Sequence, residues 1–371
     1  MRYIHQLQDW TNFTFDKNVL FPKLAAVSNQ QGKLMGKMQM LGFDLKQEAV
    51  LETLTLDVLK STEIEGEFLQ PEQVRSSIAR HLGMDIAGLV PSDRHVDGVV
   101  QMMLDATQNH QNPLTIDRLF DWHAALFPTG RSGMYKIKVA QWRTDETGAM
   151  QVVSGGMGKE RVHFEAPDAG RLPTEMPHFT AWVNAEQELD PVLKAAIAHL
   201  WFITIHPFDD GNGRIARAIT DMQLARAEDS SQRFYSMSAQ IQAQRSGYYA
   251  ILEKTQKGTP DISAWLMWFL DCLMVALTTA ETTLEKVLFK AKFWEKHAKT
   301  ILNERQILML NKLLGPFEGK LNTSKWAKIA KCSSDTALRD IQDLMDKNIL
   351  RKEDFGGRST HYVLTDFDKA L

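Results

Sequence analysis

The chain has 371 residues, of which 44% are hydrophobic and 24% are charged, a composition typical of soluble globular proteins. Its 43 basic and 46 acidic residues leave a net charge of −3, which argues against a globally basic nucleic-acid binder. Cys272 and Cys332 lack metal-ligand spacing, and we expect both to be buried free thiols. The first ten residues carry no apolar stretch, so we expect no signal peptide and a cytoplasmic location.

Helical patterns dominate the first part of the chain, residues 1–90, which we assign to an N-terminal helical domain. Apolar residues at near-helical spacing predict a helix from about Asp16, a plausible N-cap, to Met40. Two more helices are expected from Gln47 to Ile64 and from Glu72 to Leu82.

Residues 91–282 form the expected central domain. The pattern predicts helices at Asp97–Thr107, Ile116–Leu126, Met176–Asn184 and Pro191–Ile205. Between the second and third of them, two valine-rich stretches flank the segment Ser154–Gly158, which predicts a β-hairpin. The apolar stretch Ile262–Leu277 is shorter than the ~20 residues of a membrane span. We therefore interpret it as a buried helix and expect no membrane association.

Residues 283–371 form the expected C-terminal part. A lysine-rich helical connector, Thr283–Thr300, precedes helices at Asn303–Leu314, Thr323–Lys331, with Thr323 or Ser324 as cap, and Thr336–Lys347. Strands at Leu350–Asp354 and His361–Leu364 follow, and the whole resembles a winged helix-turn-helix. Its third helix carries four aspartates against two basic residues. Because phosphate contacts dominate DNA affinity, we favour protein interaction or homodimerisation and keep DNA binding as the alternative.

The strongest pattern lies at residues 205–217, where an apolar helix gives way to the segment IHPFDDGNGRIAR. Pro207 cannot continue a helix with a backbone donor, and Asp-Gly and Asn-Gly predict a tight turn with left-handed backbone angles. A new helix is expected from about Arg214 to Ala227. The free backbone N–H groups of Gly211–Gly213 then lie at a helix N-terminus, an arrangement that binds phosphate.

Charged side chains around this loop point to a polyphosphate. Arg214 and Arg217 are three residues apart, and we expect both on one helix face, in the first turn. Cations there oppose the helix dipole at a cost of about 0.3–1 kcal/mol each, which a bound polyphosphate offsets. Pairing with surface acids is the alternative. Asp210 supplies an oxygen ligand suited to Mg²⁺, and His206 supplies a base that titrates near neutral pH.

The segment His206–Arg217 matches HPFx(D/E)GNGRxxR, the motif of the Fic family, at every specified position. The chain therefore resembles Fic-family protein adenylyltransferases. The resemblance implies a mainly α fold, with a Fic-type helical core and a β-hairpin flap. It also implies ATP as substrate, Mg²⁺ or Mn²⁺ as metal ion, and a hydroxyl on a protein target, or on the chain itself, as AMP acceptor.

The same resemblance gives each motif position a role. His206 is similar to the general base that deprotonates the target hydroxyl, Asp210 to the metal ligand, and Phe208 to the core anchor of the loop. The remaining positions resemble the phosphate site: Gly211, Asn212 and Gly213 as anion hole, and Arg214 and Arg217 as contacts to the β- and γ-phosphates.

Two further regions are assigned by resemblance. The hairpin from about Met150 to Phe164, with Val152 and Val153 in its first strand, resembles the flap to which a target segment adds by backbone pairing. A structural hairpin is the alternative. Tyr249, Leu252 and Gln256 match the family's position for adenine contacts, although two adjacent tyrosines on a helix are more often core residues.

The segment Ser61–Gly66 reads STEIEG and predicts a helix end with Gly66 just beyond it. It also resembles the family's inhibitory pattern (S/T)xxxE(G/N), with Ser61, Glu65 and Gly66 on the fixed positions. The resemblance implies that Glu65 pairs bidentately with Arg217 and keeps it from the γ-phosphate. ATP then binds misaligned, and a small misplacement costs about 100-fold in rate.

Three functional hypotheses follow. The first is an AMP transferase held in check by Glu65. The second is the reverse reaction, in which Glu65 positions a water that removes AMP from a modified protein. The third is a DNA-binding regulator whose core only senses nucleotide, against which the intact motif argues.

Overall fold

A computed structural model describes residues 3–84, 89–146, 148–155, 161–186, 188–314, 317, 319–353 and 360–365. The chain divides into two compact units, Met1–Ala280 and Glu281–Leu371. The expected division into three domains stays a prediction. Both units are mainly helical, as the sequence predicted.

The first unit contains most of the helices and two small hairpins. Its helices are α1 (Lys17–Gln39), α2 (Phe43–Ile64), α3 (Pro71–His81), α4 (Arg94–Gln108), α5 (Ile116–Leu126), α6 (Leu172–Asn184), α7 (Pro191–Ile205), α8 (Asn212–Glu228), α9 (Met237–Ala243), α10 (Arg245–Gln256) and the start of α11 (Ser263–Lys296). The antiparallel hairpins are β1 (Arg131–Ser132) with β2 (Tyr135–Lys136), and β3 (Gln151–Ser154) with β4 (Arg161–Glu165). Short 3₁₀ helices lie at Ile4–Gln6 and Ala169–Arg171.

The centre of this unit is the antiparallel pair α7 and α8. Apart from Lys194, every residue of α7 from Val192 to Ile205 is buried, as expected of a helix that is apolar on all sides. Helix α8 packs along it, and α4 covers α8 from the other side, with α5 against α4. Helix α2 lies against α3 and α9 and also contacts α8. This packing brings the C-terminal end of α2 to the N-terminal end of α8.

The predicted helices of this unit are present, with shifts at their starts. Helix α1 begins after Asp16, whose side chain accepts a hydrogen bond from the Asn18 N–H, as the cap prediction required. Helices α2 and α6 begin earlier than predicted, at Phe43 and Leu172. In α6 the cause is Pro173, which lies in the first turn, where its missing N–H costs no hydrogen bond.

Helix α11 is much longer than the predicted buried segment and continues into the expected lysine-rich connector, ending at Lys296. Its length and composition would allow it to cross a membrane, although a buried core helix passes the same test. Trp265, Leu266, Phe269 and Leu270 are buried inside the first unit. The absence of membrane association and the cytoplasmic location stay predictions.

Both cysteines are free thiols, but only one is buried as expected. Cys272 lies on α11 with no exposed surface, and burial raises the pKa of its thiol to about 12. Cys332, in the second unit, is half-buried, so the prediction of burial is wrong for this thiol.

The second unit has its own core. After α11 it contains α12 (Glu304–Leu313), α13 (Thr323–Ala330), α14 (Ser334–Asp346) and the antiparallel strands β5 (Leu350–Lys352) and β6 (Tyr362–Leu364). Trp326, Ile341, Leu344 and Tyr362 are buried in its centre. The cap of α13 is Asn322 rather than Thr323 or Ser324, because the Asn322 carboxamide accepts from the Lys325 N–H. Both strands are shorter than predicted. Position 354, the predicted end of the first strand, and the predicted loop residues 355–359 lie outside the described part of the chain.

Two of the four predicted aspartates of the third helix, α14, are paired within the unit rather than free at its surface. Asp340 is buried and accepts hydrogen bonds from Arg305 and Asn303. Asp343 pairs with Gln306 and with Lys347, which neutralises one of the basic residues as well. The exposed charges of α14 are therefore Asp335 and Asp346 against Arg339, and this surface remains acidic.

Candidate active site

The loop between α7 and α8 reverses the chain with two left-handed residues. His206 ends α7 at a φ of 52°, and Gly211 precedes α8 at a φ of 81°. A side chain at Gly211 would also approach the Phe127 ring to 2.9 Å, so both the backbone conformation and the available space favour glycine here. The second predicted turn, Asn-Gly, is instead the first turn of α8. Arg217 consequently lies in the second turn of that helix, not the first as predicted.

The loop is fixed from inside by Asn212 and Phe208. The Asn212 carboxamide accepts from the Phe208 N–H at 3.0 Å and donates to the Phe208 carbonyl at 2.8 Å. The Phe208 ring has no exposed surface and stacks on His123, with ring centroids 4.1 Å apart. His123 also approaches the Asp210 carbonyl through Nε2 at 3.2 Å. The predicted anchor role of Phe208 thus has a structural basis. His123, by contrast, lies in no motif and carried no local signal.

A buried arginine that the sequence analysis missed holds the loop from outside. Arg143 donates from Nε to the His206 carbonyl at 2.8 Å and from Nη2 to the Pro167 carbonyl at 2.5 Å. Its own N–H donates to the Pro207 carbonyl at 3.0 Å. The side chain is fully buried, and Asp145 balances its charge at 2.9 Å. Because the contacts with His206 and Pro207 span more than 60 positions of the chain, local pattern analysis cannot reveal them.

The His206 side chain is held in a defined state. Its Nδ1 lies 3.2 Å from the Ile203 carbonyl, which can only accept, so Nδ1 carries the proton and Nε2 is free to take one. Burial, with a smaller contribution from Arg143, lowers the pKa of His206 to about 4. The imidazole is therefore neutral at pH 7 and able to act as a base.

Two buried arginines stand next to this histidine on α8. Arg214 and Arg217 are 1% and 2% exposed, so burying both charges requires anionic partners. The Arg214 Nε and the Arg217 Nη1 are buried and have no hydrogen-bond partner among the described residues. The first N–H groups of α8 lack acceptors within the helix, as at any helix start. Together these groups form a site for a multiply charged anion.

The end of α2 supplies one carboxylate to this anion site. Glu65 Oε1 accepts from Arg217 Nη2 at 2.8 Å, while Ser61 accepts from Arg217 through its hydroxyl at 2.9 Å and its carbonyl at 2.8 Å. The expected bidentate pairing with Glu65 is wrong, because Glu65 accepts from Nη2 alone. Ser61 accepts from Nε and Nη2, and Nη1 has no hydrogen-bond partner among the described residues. A side chain at Gly213 would clash with Glu65 Oε1, which shows how closely this carboxylate approaches the N-terminus of α8.

The backbone after α2 aims Glu65 at its target. Gly66 adopts a φ of 84°, and its N–H donates to the Glu63 carbonyl while the Glu67 N–H donates to the Thr62 carbonyl. This pair of bonds is the Schellman motif that ends many helices at a glycine. The predicted helix end at Gly66 is confirmed.

A second carboxylate, which the sequence analysis missed, pairs with the other arginine. Glu67 Oε2 accepts from Arg214 Nη1 at 2.6 Å and lies 3.4 Å from His95 Nε2. The hydrogen bond to His95 lowers the pKa of Glu67, with Arg214 adding to the effect, and the same bond raises the pKa of His95. Both motif arginines are therefore held by carboxylates from one short segment, residues 65–67.

These groups border a cavity of about 640 Å³, within the usual size range of small-molecule sites. His206, Asp210, Asn212, Gly213 and Glu65 line it. Residues of β3, β4 and α10 line it as well, including the predicted flap and adenine residues Val152, Val153, Tyr249, Leu252 and Gln256. Residues 156–158 of the predicted hairpin loop lie outside the described residues. The roles of the lining residues stay predictions.

Helix α10 also contacts the end of α2. Arg245 donates from Nε to the Ile64 carbonyl at 2.7 Å, and the Tyr249 hydroxyl donates to the same carbonyl at 3.4 Å. The Arg245 guanidinium lies over the Tyr249 ring at 5.2 Å from its centroid, within the roughly 6 Å of cation–π contacts. One predicted adenine residue is thus engaged with the segment that carries Glu65.

Asp210 is the candidate metal ligand of the site. Among the described residues, no group of three or more His, Cys, Asp or Glu side chains is placed to hold a metal ion. Asp210 is 41% exposed, accepts from the Ser132 hydroxyl and lies 3.9 Å from Arg214. Mg²⁺ typically binds one or two carboxylates together with phosphates and water, and this single open carboxylate fits that pattern.

Comparisons with known proteins agree with this geometry. Residues 113–224 match the family model Fic/DOC family, and residues 3–84 match a domain of unknown function, DUF4172. A segment of 108 residues is 38% identical to the protein adenylyltransferase Fic of Drosophila grimshawi, covering 29% of this chain and 21% of that protein. A segment of 222 residues is 27% identical to the protein adenylyltransferase Fic of Culex quinquefasciatus, covering 58% of this chain and 39% of that protein.

The fold has a relative among solved structures. The crystal structure of a Fic family protein from Desulfovibrio desulfuricans G20 covers 93% of this chain and 96% of its own, with a TM-score of 0.51 and 19% identity. At this identity the likeness concerns the fold alone. The matches to the curated relatives span less than half of their lengths. Together the comparisons support a Fic-family protein.

Proposed function

We propose that this chain is a protein adenylyltransferase, which transfers AMP from ATP to a hydroxyl group of a protein and is held in check by Glu65. The observation that carries the proposal is the neutral His206 beside the N-terminus of α8, where two buried arginines pair with the carboxylates of Glu65 and Glu67. The match of residues 113–224 to the Fic/DOC family and the names of the relatives support it.

The proposed reaction uses these groups in one step. Nε2 of His206 takes the proton of the acceptor hydroxyl, and the oxygen attacks the α-phosphorus of ATP. The bond between the α-phosphorus and the oxygen of the β-phosphate breaks, and pyrophosphate leaves with the electron pair. Arg214, Arg217 and the N–H groups at the start of α8 hold the β- and γ-phosphates. Catalysis of this kind rests mainly on positioning and charge stabilisation.

A divalent metal ion belongs to the proposal, with Asp210 as its protein ligand. Mg²⁺ or Mn²⁺ would neutralise phosphate charge and orient the leaving group. The hydrogen bond from Ser132 and the closeness of Arg214 keep the Asp210 carboxylate at the phosphate end of the cavity.

Tyr249, Leu252 and Gln256 on α10 would receive the adenine, and the edge of β3 with Val152 and Val153 would receive an extended target segment. In support, all five residues line the cavity that His206 borders. An open strand edge recognises the backbone of a partner and tolerates varied side chains.

The inhibition follows from competition for the arginines. The Glu65 carboxylate occupies Arg217 where the γ-phosphate would bind, and Glu67 occupies Arg214. A charge-assisted hydrogen bond to a buried guanidinium is worth about 1.5–3 kcal/mol. We therefore expect the chain with Glu65 in place to transfer AMP about one to two orders of magnitude more slowly than a chain without this carboxylate, at about 1.4 kcal/mol per decade in rate.

The reverse reaction is the second candidate. Glu65 lines the same cavity as His206, and its side chain is 29% exposed, so it could also orient a water toward a bound AMP ester. The DNA-binding hypothesis is weaker, because the described exposed surface of α14 is acidic. For the second unit we propose a role in protein interaction or homodimerisation.

Incubation with ATP labelled in the α-phosphate and with candidate protein targets tests the proposed function. Label transferred to protein, with release of pyrophosphate, supports it. If AMP-modified proteins instead lose their label on incubation with the chain while ATP transfers none, the reverse reaction is correct.

A further inference from the structure

A serine, a histidine and a glutamate form a hydrogen-bonded chain at the rim of the cavity. Ser154 Oγ lies 2.6 Å from His163 Nε2, and His163 Nδ1 lies 2.6 Å from Glu253 Oε2. The three residues come from β3, β4 and α10. The motif His206–Arg217 contains none of them, and the proposed reaction uses none of them. Their order matches the nucleophile, base and carboxylate found in many enzymes.

The carboxylate determines where the protons lie in this chain. Lys257, His163 and Arg161 hydrogen-bond Glu253 and lower its pKa to about 2, so it is ionised at neutral pH and can only accept. In the neutral imidazole, Nδ1 therefore carries the hydrogen and Nε2 is the acceptor. The Ser154 hydroxyl consequently donates to His163, and its oxygen is turned into a better nucleophile.

The strand geometry points His163 toward this role. Val152 pairs with Phe164 and Val153 pairs with Val162, so His163 is an extra residue in β4 without a partner opposite. Such β-bulges often occur beside active sites, where they redirect a side chain. Without the bulge, strict alternation along β4 would change the side of the hairpin on which His163 lies.

The location favours chemistry over a purely structural contact. Ser154, His163 and Glu253 all line the cavity that His206 borders. Arg161 and Lys257 already pair with Glu253, so neither its charge nor the contact between β4 and α10 requires the serine. Ser154 is exposed, and its hydroxyl is accessible to a ligand in the cavity.

We propose that Ser154 is a nucleotidyl acceptor of this chain itself, a modification site at which AMP is attached within the same molecule. His163 is the base for this hydroxyl and Glu253 is the positioning residue. The Ser154 oxygen forms a bond to the α-phosphorus of ATP, its proton passes to His163 Nε2, and the bond to the β-phosphate breaks as pyrophosphate leaves. This inference rests on the proposed function, because it uses the same ATP site.

The test uses the full chain carrying Glu65→Gly, incubated with labelled ATP and Mg²⁺ and analysed as tryptic peptides by mass spectrometry. The peptide Thr144–Lys159 should carry AMP on Ser154. Ser154→Ala should lose this adduct, whereas the matched variant Ser334→Ala removes an exposed hydroxyl outside the cavity and should keep it. At saturating ATP, His163→Gln should slow the modification about 100-fold. Glu253→Gln should slow it about 10-fold, and Glu253→Asp should restore part of the rate.

The outcomes separate this inference from the proposed function. AMP found only on other peptides overturns the role of Ser154, and an unchanged rate of Ser154 labelling in folded His163→Gln overturns the role of His163 as its base. Both results leave adenylyl transfer standing. A rate constant for labelling Ser154 that rises in proportion to protein concentration overturns transfer within one molecule. If no peptide is labelled and no pyrophosphate is released, the proposed function fails together with the inference.

Discussion

The loop between α7 and α8 and the hairpin of β3 and β4 border the same cavity but are built in opposite ways. Carbonyl groups of the loop are held by Arg143, Asn212 and His123, and its Phe208 ring is fully buried. The hairpin is mostly exposed, and its described polar links to α10 converge on Glu253. A transferred phosphorus atom needs fixed groups around it, whereas recognition of varied partners needs an adaptable edge.

The energies of the two regions should differ accordingly. Contacts of a buried arginine with several carbonyl groups are costly to break, because the charge and its acceptors are left without partners. Ion pairs at an exposed surface contribute about 0–1 kcal/mol. Substitutions in the loop should therefore affect both stability and transfer, while most substitutions in the hairpin should affect only the choice or rate of acceptor.

The largest effect is expected for His206→Ala. Removal of the base should reduce transfer to a protein target by about 100- to 10,000-fold, while ATP binding and the melting temperature stay close to those of the parent. Transfer rates with labelled ATP and calorimetric melting measure both properties. A rate equal to that of the parent would show that another group takes the proton.

Loss of the metal ligand should come next. Asp210→Ala should lower transfer by about 100-fold at millimolar Mg²⁺, because a carboxylate contribution to phosphate charge neutralisation is lost. Treatment of the parent with EDTA should abolish transfer, and added Mg²⁺ or Mn²⁺ should restore it. Activity that persists in EDTA would contradict the metal assignment.

A matched pair of arginines compares the loop with the hairpin directly. Arg143→Lys should lose about 2–4 kcal/mol of unfolding free energy and about 10-fold or more in transfer, because a lysine cannot donate to the His206 and Pro167 carbonyls and to Asp145 together. Arg161→Lys, at a side chain 71% exposed, should change unfolding by less than about 0.5 kcal/mol. Urea unfolding of both variants measures these two losses of unfolding free energy. Equal losses would contradict the proposed difference between the loop and the hairpin.

The smallest effect is expected for Glu67→Gln. Because Glu67 is 36% exposed, the loss of its charge beside Arg214 should raise transfer only about two- to five-fold.

The contact between Glu67 and His95 should also make the stability of the fold depend on pH. It raises the pKa of His95, so the stabilisation of the folded state by this contact is complete below the unfolded pKa of about 6.5 and is lost as pH rises through the folded value. Glu67→Gln should remove this pH dependence. Identical stability profiles for both proteins at pH 5–8 would exclude the contact in solution.

Sequence patterns predicted what depends on neighbouring residues. The helix spacing, the glycine at position 66 and the consecutive motif from His206 to Arg217 all express local geometry. Arg143, His123 and Glu67 escaped notice because their partners lie 63, 87 and 147 positions away. A pattern within one segment does not predict contacts with residues so far away along the chain.

The bidentate pairing failed for a related reason. The resemblance indicated that Glu65 contacts Arg217. Which N–H group of the guanidinium bonds to which acceptor depends on how α2 packs on α8. In this packing the Ser61 hydroxyl and carbonyl accept from Nε and Nη2 of Arg217, and Glu65 accepts from Nη2 but does not bond Nη1. The N-cap of α13 differed from prediction because three neighbouring residues, Asn322, Thr323 and Ser324, are all good caps.

The central claim is that Glu65 keeps an otherwise complete adenylyl transfer site inactive, and the most direct test compares the parent with Glu65→Gly. Incorporation of labelled AMP into an added protein target, measured apart from label on the chain itself, should rise about 10- to 100-fold in the variant, because Arg217 becomes available to the γ-phosphate. The rise should vanish in the double variant with His206→Ala. An unchanged or lower rate in a folded Glu65→Gly protein would contradict the account and favour the reverse reaction, in which Glu65 positions the attacking water.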